Sequence, residues 1–296
     1  MHRAEGDMGF FATFSTWLDA QLASYIGNNT ARLSAALEPA IVTFGTVYVM
    51  FWGYLQLTGR IEEPFITGLR KIILLVIVLG AALQLWLYNS LIVDTFYSAP
   101  AQLAAVVAGA ASPVATLDVV WQAGGAVASE LWDRGGLFSG DFGFYIAGVL
   151  VWIVMGLVCC YAMFLIALSK IALAILLALG PLFIALRLFE GTRRLFDAWL
   201  MQLANYGFIT VLTVLVGALL LDLIQSYATQ TAARGAALAT VDALDMLLAA
   251  VIVLLVLRQI MPIAASLTGG AALSTMGAWS RGVGGFLRGL PGRIIR

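Results

Sequence analysis

The chain has 296 residues, of which 62% are hydrophobic and only 11% are charged. Sixteen basic and 16 acidic residues give a formal net charge of zero at pH 7. This composition lies far outside the range of soluble globular domains, so it excludes most soluble enzymes and indicates an integral membrane protein.

Residues 9–27 form the first predicted element, an amphipathic helix. Aromatic and leucine side chains recur there at steps of three and four residues, with polar residues such as Ser15 and Asp19 between them. Glu5 and Asp7 precede it, where a secretory signal would be basic, so we expect no cleavable signal peptide. Such a helix could lie in the outer interface of the membrane or pack on neighbouring subunits, and both interpretations are open.

Five apolar runs are each long enough to cross the hydrocarbon layer, which takes about 20 helical residues. They are 39–57, 72–93, 144–168, 200–224 and 244–264. A sixth apolar stretch, 171–188, contains Gly180-Pro181, and proline removes a backbone donor and clashes with the preceding turn. We therefore predict an all-α integral membrane protein with five transmembrane helices and, at 171–188, a cytoplasmic re-entrant or interfacial helix broken at Gly-Pro.

The basic residues indicate the orientation of these spans. With five crossings, twelve of them share one side: Arg60, Arg70, Lys71, Lys170, Arg187, Arg193, Arg194, Arg258, Arg281, Arg288, Arg293 and Arg296. The other side holds Arg3, Arg32, Arg134 and Arg234. If 171–188 also crossed, Lys170 would oppose Arg193 and Arg194 and the division would be weaker, five against eleven. Since Lys and Arg concentrate in cytoplasmic segments, we expect a periplasmic N-terminus and a cytoplasmic C-terminus.

This orientation predicts five regions along the chain. They are a periplasmic amphipathic N-terminal helix at 1–36, spans one and two within 37–93, a periplasmic loop at 94–143, spans three to five with the re-entrant helix 171–188 within 144–265, and a basic, glycine-rich cytoplasmic tail at 266–296. In the loop, Trp121 and Trp132 are eleven residues apart and share a helix face. They are either aromatic residues at the membrane surface or a candidate partner surface at the mouth of a pore.

The residue types needed for most chemistry are scarce. His2 is the sole histidine, and Cys159 and Cys160 are adjacent inside span three, where they suit helix packing. We expect no catalytic site, no cofactor and no metal site, and hence no enzyme. The predicted spans place their ionisable residues at their ends, and no inverted repeat is evident, which argues against a coupled transporter. Gly148 and Gly156 predict close helix contact, either within the chain or between subunits.

The most distinctive stretch is 178–206, ALGPLFIALRLFEGTRRLFDAWLMQLANY, which joins the Gly-Pro break to a basic turn and an aromatic helix start. It resembles the TrbL-type family, the polytopic inner-membrane subunit of type IV secretion systems that includes the sixth VirB component. The five spans and the predicted topology are also similar to that family. Its motif falls on Gly180, Pro181, Arg193, Arg194 and Trp199.

The resemblance implies a multi-pass protein of the bacterial inner membrane that acts as a platform or channel subunit. Such proteins support pilus biogenesis and translocation of DNA–protein or protein substrates. The implied partners are pilin, minor pilin, a periplasmic scaffold, ATPases, membrane lipids and further copies of the chain in a homo-oligomeric ring. Trp199 also suits an interfacial anchor, and Arg193 and Arg194 could meet lipid phosphates, an ATPase or nucleic acid. The alternatives are a stand-alone small-solute permease or channel and a purely structural scaffold.

Overall fold

The computed structural model describes residues 9–59, 72–108 except for 74, 75, 78, 79, 81 and 82, 114–134, 142–187, 191–234 and 240–268. All regular structure in these ranges is helical. In chain order the elements are α1 Phe10–Leu57, α2 Leu85–Tyr88, a π-helix Asn89–Ser98, α3 Ala99–Ala108, α4 Ala115–Arg134, α5 Phe142–Ala178, α6 Gly180–Leu186, α7 Arg193–Arg234 and α8 Thr240–Leu267. The predicted tail, 266–296, lies outside the described residues except for 266–268.

Five helical stretches in the described ranges are long and apolar enough to cross a membrane. They are Phe10–Leu57, Leu85–Val107, Phe142–Ala178, Arg193–Ile224 and Asp245–Leu267. The predicted all-α membrane fold with five transmembrane helices is therefore confirmed. Many large apolar side chains on these helices remain exposed, as expected for helices that face lipid or further subunits.

The predicted N-terminal helix and the first span form one continuous helix, α1. Its 48 residues correspond to about 72 Å, more than twice the thickness of the hydrocarbon layer. The Gly27-Asn28-Asn29 sequence suggests a turn, yet the Asn29 amide donates to the Tyr25 carbonyl one helical turn back, which accommodates the polar side chain within the helix. The helix ends at Leu57, where the first span was predicted to end, and Gly59 follows in the left-handed conformation with φ of 65°.

The structure describes the predicted second span, 72–93, only in part. Gln84 is extended, with φ of −86° and ψ of 101°, and it interrupts helical structure inside the predicted span 72–93. The second candidate membrane helix among the described residues is Leu85–Val107, which continues into the predicted loop 94–143. Most of that loop is helical, since it holds the end of the π-helix, α3 and α4. Alanine-rich sequence favours helix, and burial against neighbouring helices stabilises it.

Helix α4 packs antiparallel on the first half of α5. Trp121 lies against Gly156 and Trp132 against Gly148, and Gly124 in turn faces Met155. The two tryptophans therefore share one face, as predicted, and that face contacts α5 of the same chain. The close contact predicted for Gly148 and Gly156 is intramolecular, because each glycine leaves room for an indole ring.

Helix α5 is central, with α1, α4, α7 and α8 all packed against it. The larger hydrophobic cluster surrounds its first part and includes Met155, Leu165 and Leu257. A second cluster surrounds its last turns and joins Ile26 of α1, Tyr88 of α2 and Leu203 of α7. This second cluster holds the end of α5, where the sequence motif lies.

Candidate functional site

The Gly-Pro break separates α5 from α6. Helix α5 ends at Ala178, and α6 begins at Gly180 with Pro181 in its first turn, a position that proline favours. Because proline has no N–H, the Leu177 carbonyl four residues earlier cannot receive a helical hydrogen bond from it. The buried Tyr88 hydroxyl donates to that carbonyl oxygen. A side chain of α2 thus replaces the backbone donor that the sequence removes.

Trp199 of α7 satisfies a second carbonyl at the same break. Its indole N–H donates to the Leu176 carbonyl oxygen over 2.9 Å, and its ring stacks on Phe183 of α6 with centroids 5.7 Å apart. Carbonyls in the last turn of a helix lack intrahelical donors, so this bond caps α5. Trp199 is 2% exposed, which differs from the interfacial anchor suggested by its place near a span end.

Gly180 allows the close approach of Tyr88. A Cβ atom at Gly180 would overlap the Tyr88 hydroxyl oxygen. Its own backbone lies in the ordinary helical range, so lack of space accounts for glycine here. Gly180, Pro181 and Trp199, predicted from the sequence, therefore meet around the end of α5, together with Tyr88, which sequence reasoning missed.

The basic turn between α6 and α7 presents its charges outward. The Thr192 hydroxyl donates to the Leu186 carbonyl over 2.6 Å, which ties the turn to the end of α6. Arg193 and Arg194 are both exposed, and the Arg193 Nε atom lies 3.9 Å from the Asp197 carboxylate, a weak surface pair. Among the described residues, neither arginine forms a hydrogen bond with Gly180, Pro181 or Trp199. What they bind stays a prediction.

A charged cluster that sequence reasoning missed lies between α1, the π-helix and α5. Lys170 Nζ is 2.7 Å from Asp19 Oδ2 and 3.0 Å from Ser15 Oγ, and the Tyr97 hydroxyl donates to Asp19 Oδ1 over 2.8 Å. The Lys170 side chain is 12% exposed and that of Asp19 is 39% exposed. These four residues are called the Asp19 cluster below. The carboxylate receives donors from α5 and from the π-helix, which links α1 to the rest of the bundle.

The Asp19 cluster changes the sequence interpretation. Asp19 was expected in a periplasmic N-terminal helix, and Lys170 among the cytoplasmic cations. Partners of an ion pair lie at one depth in the membrane, so these two placements cannot both hold. Each residue is visible in the sequence as a charge in apolar surroundings, but 151 residues separate them and no local pattern pairs them.

The two cysteines differ in their surroundings. Cys159 is buried, and its thiol lies 3.8 Å from the Leu117 carbonyl oxygen of α4, whereas Cys160 is exposed. The predicted packing role therefore fits Cys159. Within the described residues, no group of three or more His, Cys, Asp or Glu side chains is placed to hold a metal ion.

Comparison with known proteins assigns the family. The family model of the TrbL/VirB6 plasmid conjugal transfer protein matches residues 45–260. The chain is similar to the type IV secretion system protein VirB6 of Bartonella quintana, with 25% identity over 223 residues, 72% of this chain and 67% of the relative. It is also similar to the VirB6 protein of Brucella abortus, with 28% identity over 200 residues, 64% of this chain and 57% of the relative. The chain therefore belongs to the TrbL/VirB6 family.

Proposed function

We propose that the chain is the multi-pass inner-membrane subunit of a type IV secretion system, supporting pilus biogenesis and the passage of DNA–protein or protein substrates. The observation that carries this proposal is the family match over residues 45–260. That match reaches into all five candidate membrane helices and includes every motif residue at the break between α5 and α6. The similar proteins of Bartonella and Brucella carry the same type IV secretion name.

The subunit acts by assembly and not by catalysis. The motif residues Gly180, Pro181 and Trp199 build a capped helix break, and the exposed Arg193 and Arg194 begin the next long helix, α7. A rigid break that displays two cations suits contact with cytoplasmic ATPases, lipid phosphates or a nucleic-acid substrate. Periplasmic partners would meet the outward face of α4, because Trp121 and Trp132 pack against α5.

Large exposed apolar side chains support association with lipids and with further copies of the chain. Phe44, Phe51 and Tyr54 on α1 are each more than half exposed. Large exposed apolar patches commonly mark sites of protein–protein or membrane contact. A homo-oligomeric ring would cover part of this surface. In this proposal the C-terminus and the basic turn are cytoplasmic, following the distribution of basic residues, and Asp19 lies at the membrane depth of its partner Lys170.

A crosslinked pull-down of the tagged protein from native membranes tests the proposal. We expect mass spectrometry to identify pilin, minor pilin, periplasmic scaffold and ATPase subunits of one secretion system. Recovery of the chain alone as a discrete oligomer would contradict it. That outcome would favour the stand-alone permease. A permease should transport solute in liposomes as purified protein without partners. No feature of the described residues favours the permease now.

The role of the basic turn needs a separate variant. We expect an R193A/R194A double substitution to reduce substrate transfer at least tenfold at unchanged abundance, because the two exposed cations would be lost from the partner surface. Arg258→Ala removes another exposed arginine, from α8, and serves as the matched control. Normal transfer by the double variant would exclude the basic turn as a partner site and leave the family assignment untouched.

A further inference from the structure

An open groove of about 380 Å³ lies between α1, α3, α4, α5 and α7. Most of its lining is apolar, and a few polar side chains, among them Thr16, Asp19 and Lys170, converge on it. Thr16 is exposed and Ala12 and Ala101 are half-buried, so the groove is open between α1 and α3. A concave, mostly apolar surface with few polar groups is typical of the sites at which helix bundles bind small molecules.

The charged residues of the groove lie at the depth of the lipid headgroups. Lys170 follows the apolar run 144–168 by two residues, and a run of this length spans the hydrocarbon layer. Lys170 and its partner Asp19 therefore lie just outside that layer, in the region that holds the phosphate groups of the lipids. A charge pair at this depth avoids the cost of placing charge in hydrocarbon.

The apolar part of the groove extends from there toward the centre of the bilayer. Helix α1 runs parallel to α5. Asp19 meets Lys170, whereas Phe11, one residue before the lining, is bonded to the start of α4. There the Leu117 carbonyl oxygen lies 3.8 Å from the thiol of Cys159, inside the apolar run. The lining on this side consists of alanine, valine and isoleucine side chains, so the groove has one charged end and one apolar end.

Lipid can reach the groove without movement of a helix. Trp17 of α1 and Leu103 of α3 are both more than half exposed, so the surface on either side of the opening is one that lipid covers. Phe11 belongs to the larger hydrophobic cluster and holds the beginning of α1 against the bundle. The groove is therefore a fixed feature of the fold that is open toward the membrane.

The ion pair in the groove has one donor and one acceptor left. An ammonium group has three N–H donors, and among the described residues Lys170 places one on Asp19 and one on Ser15. A carboxylate accepts about four hydrogen bonds. Asp19 receives three from the described residues, donated by Lys170, Tyr97 and Ser15. The pair carries no net charge, so it fits a ligand that presents an anion beside a hydrogen-bonding cation.

We propose that the groove binds one molecule of phosphatidylethanolamine. Its phosphate accepts the remaining donor of Lys170, its ammonium group donates to Asp19, and one acyl chain lies along the apolar part of the groove. Both headgroup contacts are charge-assisted hydrogen bonds, which are roughly twice as strong as neutral ones. This site goes beyond the secretion function and does not depend on it.

Three lipids with the same dioleoyl chains test the headgroup. Native mass spectrometry of the full chain, purified in detergent, measures the binding of the first lipid molecule. We expect phosphatidylethanolamine to bind at least tenfold more tightly than phosphatidylcholine, whose quaternary ammonium has no N–H to donate to Asp19. It should also bind more tightly than phosphatidylglycerol, which has the phosphate and lacks the cation. Equal binding of phosphatidylethanolamine and phosphatidylcholine, or tighter binding of phosphatidylglycerol, overturns the proposal.

Filling the groove tests its position. Ala115→Leu puts a larger side chain in the apolar part without touching the ion pair, and we expect it to weaken phosphatidylethanolamine binding at least tenfold. Ala126→Leu, at an exposed position of the same helix, is the matched control and should bind like the parent. The thermal unfolding midpoint in lipid-free detergent shows that each variant is folded. If Ala115→Leu is not, Ala101→Leu fills the groove from α3 instead. Unchanged binding in a folded groove-filling variant would refute the site.

Discussion

A single hydroxyl group, that of Tyr88, compensates for the hydrogen-bond donor that Pro181 lacks. The Leu177 carbonyl lies at the buried end of α5, where water cannot readily replace the missing bond. An unpaired buried carbonyl is unfavourable by about 1–3 kcal/mol. Tyr88 is therefore a residue of the site, although its sequence surroundings, LQLWLYNS, show only another apolar helix.

Removal of that hydroxyl should destabilise the protein measurably. We expect Tyr88→Phe to lower the free energy of unfolding by about 1–3 kcal/mol, because the Leu177 carbonyl loses its donor while the ring remains. The thermal unfolding midpoint in detergent measures the change. Tyr48→Phe, at an exposed position of α1, is the control and should leave the midpoint in place. Equal midpoints for the two variants would refute the capping role.

The Asp19–Lys170 pair should show energetic coupling. We expect Asp19→Asn and Lys170→Met each to lower the free energy of unfolding by about 1–3 kcal/mol, less than for a fully buried pair because Asp19 is partly exposed. The double variant should lose less than the sum, since neither charge is then left unpaired, with a coupling of about 1 kcal/mol.

The exposed pair Arg193–Asp197 provides the matched cycle for that measurement. Its atoms are 3.9 Å apart on the surface of α7, so Arg193→Met and Asp197→Asn should couple by less than about 0.5 kcal/mol. Similar coupling in both cycles would mean that the Asp19 cluster contributes no more to the attachment of α1 than an exposed surface pair would.

At the scale of elements, glycines set the distance between α4 and α5. A Cβ atom at Gly148 would lie 2.5 Å from the Trp132 indole nitrogen and 3.1 Å from the Ala128 carbonyl oxygen. Gly156 allows Trp121 to approach in the same way. The segment predicted as a loop is therefore held along α5 by two indole rings seated on glycines, which explains why it is an ordered helix.

A side chain at Gly148 should separate these two helices. We expect Gly148→Leu to lower the free energy of unfolding by about 1–3 kcal/mol or more, because overpacking forces Trp132 out of its position. Unfolding midpoints measure the effect. Gly53→Leu on α1 is the control, since a Cβ atom there meets nothing within 4 Å among the described residues. A Gly148 variant as stable as the Gly53 variant would show that α4 packs loosely.

At the scale of the whole molecule, α7 runs antiparallel to α5, and the two ends of the bundle lie on opposite sides. Asp133, near the end of α4, lies close to the start of α5, whereas Arg193 lies near its end. The proposed orientation, which follows the distribution of basic residues, has Arg193 in the cytoplasm. The two residues therefore report opposite sides of the membrane.

Thiol labelling of whole cells tests this orientation. In a background with Cys159 and Cys160 replaced, we expect an impermeant maleimide to label Asp133→Cys once the outer membrane is permeable. Arg193→Cys should be labelled only after the inner membrane is broken, since the proposed orientation has this residue in the cytoplasm. The opposite pattern would invert the topology, and labelling of both positions from one side would contradict the bundle.

The helix break could be predicted in part. Gly180-Pro181 identifies the position of the break, because proline's missing N–H is a property of the residue itself. Its caps could not be predicted, since Tyr88 and Trp199 reach Leu177 and Leu176 from other helices. The sequence around Trp199 is compatible with a place at the membrane surface and with a place in the core. Only the packing of the helices decides that Trp199 is buried.

The sequence by itself determined that this is an all-α membrane protein with five apolar helices, because spanning length and hydrophobicity are local properties that lipid imposes on each segment. It also carried the family motif. The tertiary structure decided that α1 is continuous, that α4 packs within the bundle, and that Asp19 meets Lys170. Those features depend on groups far apart in the chain, whose contacts exist only after the helices have packed.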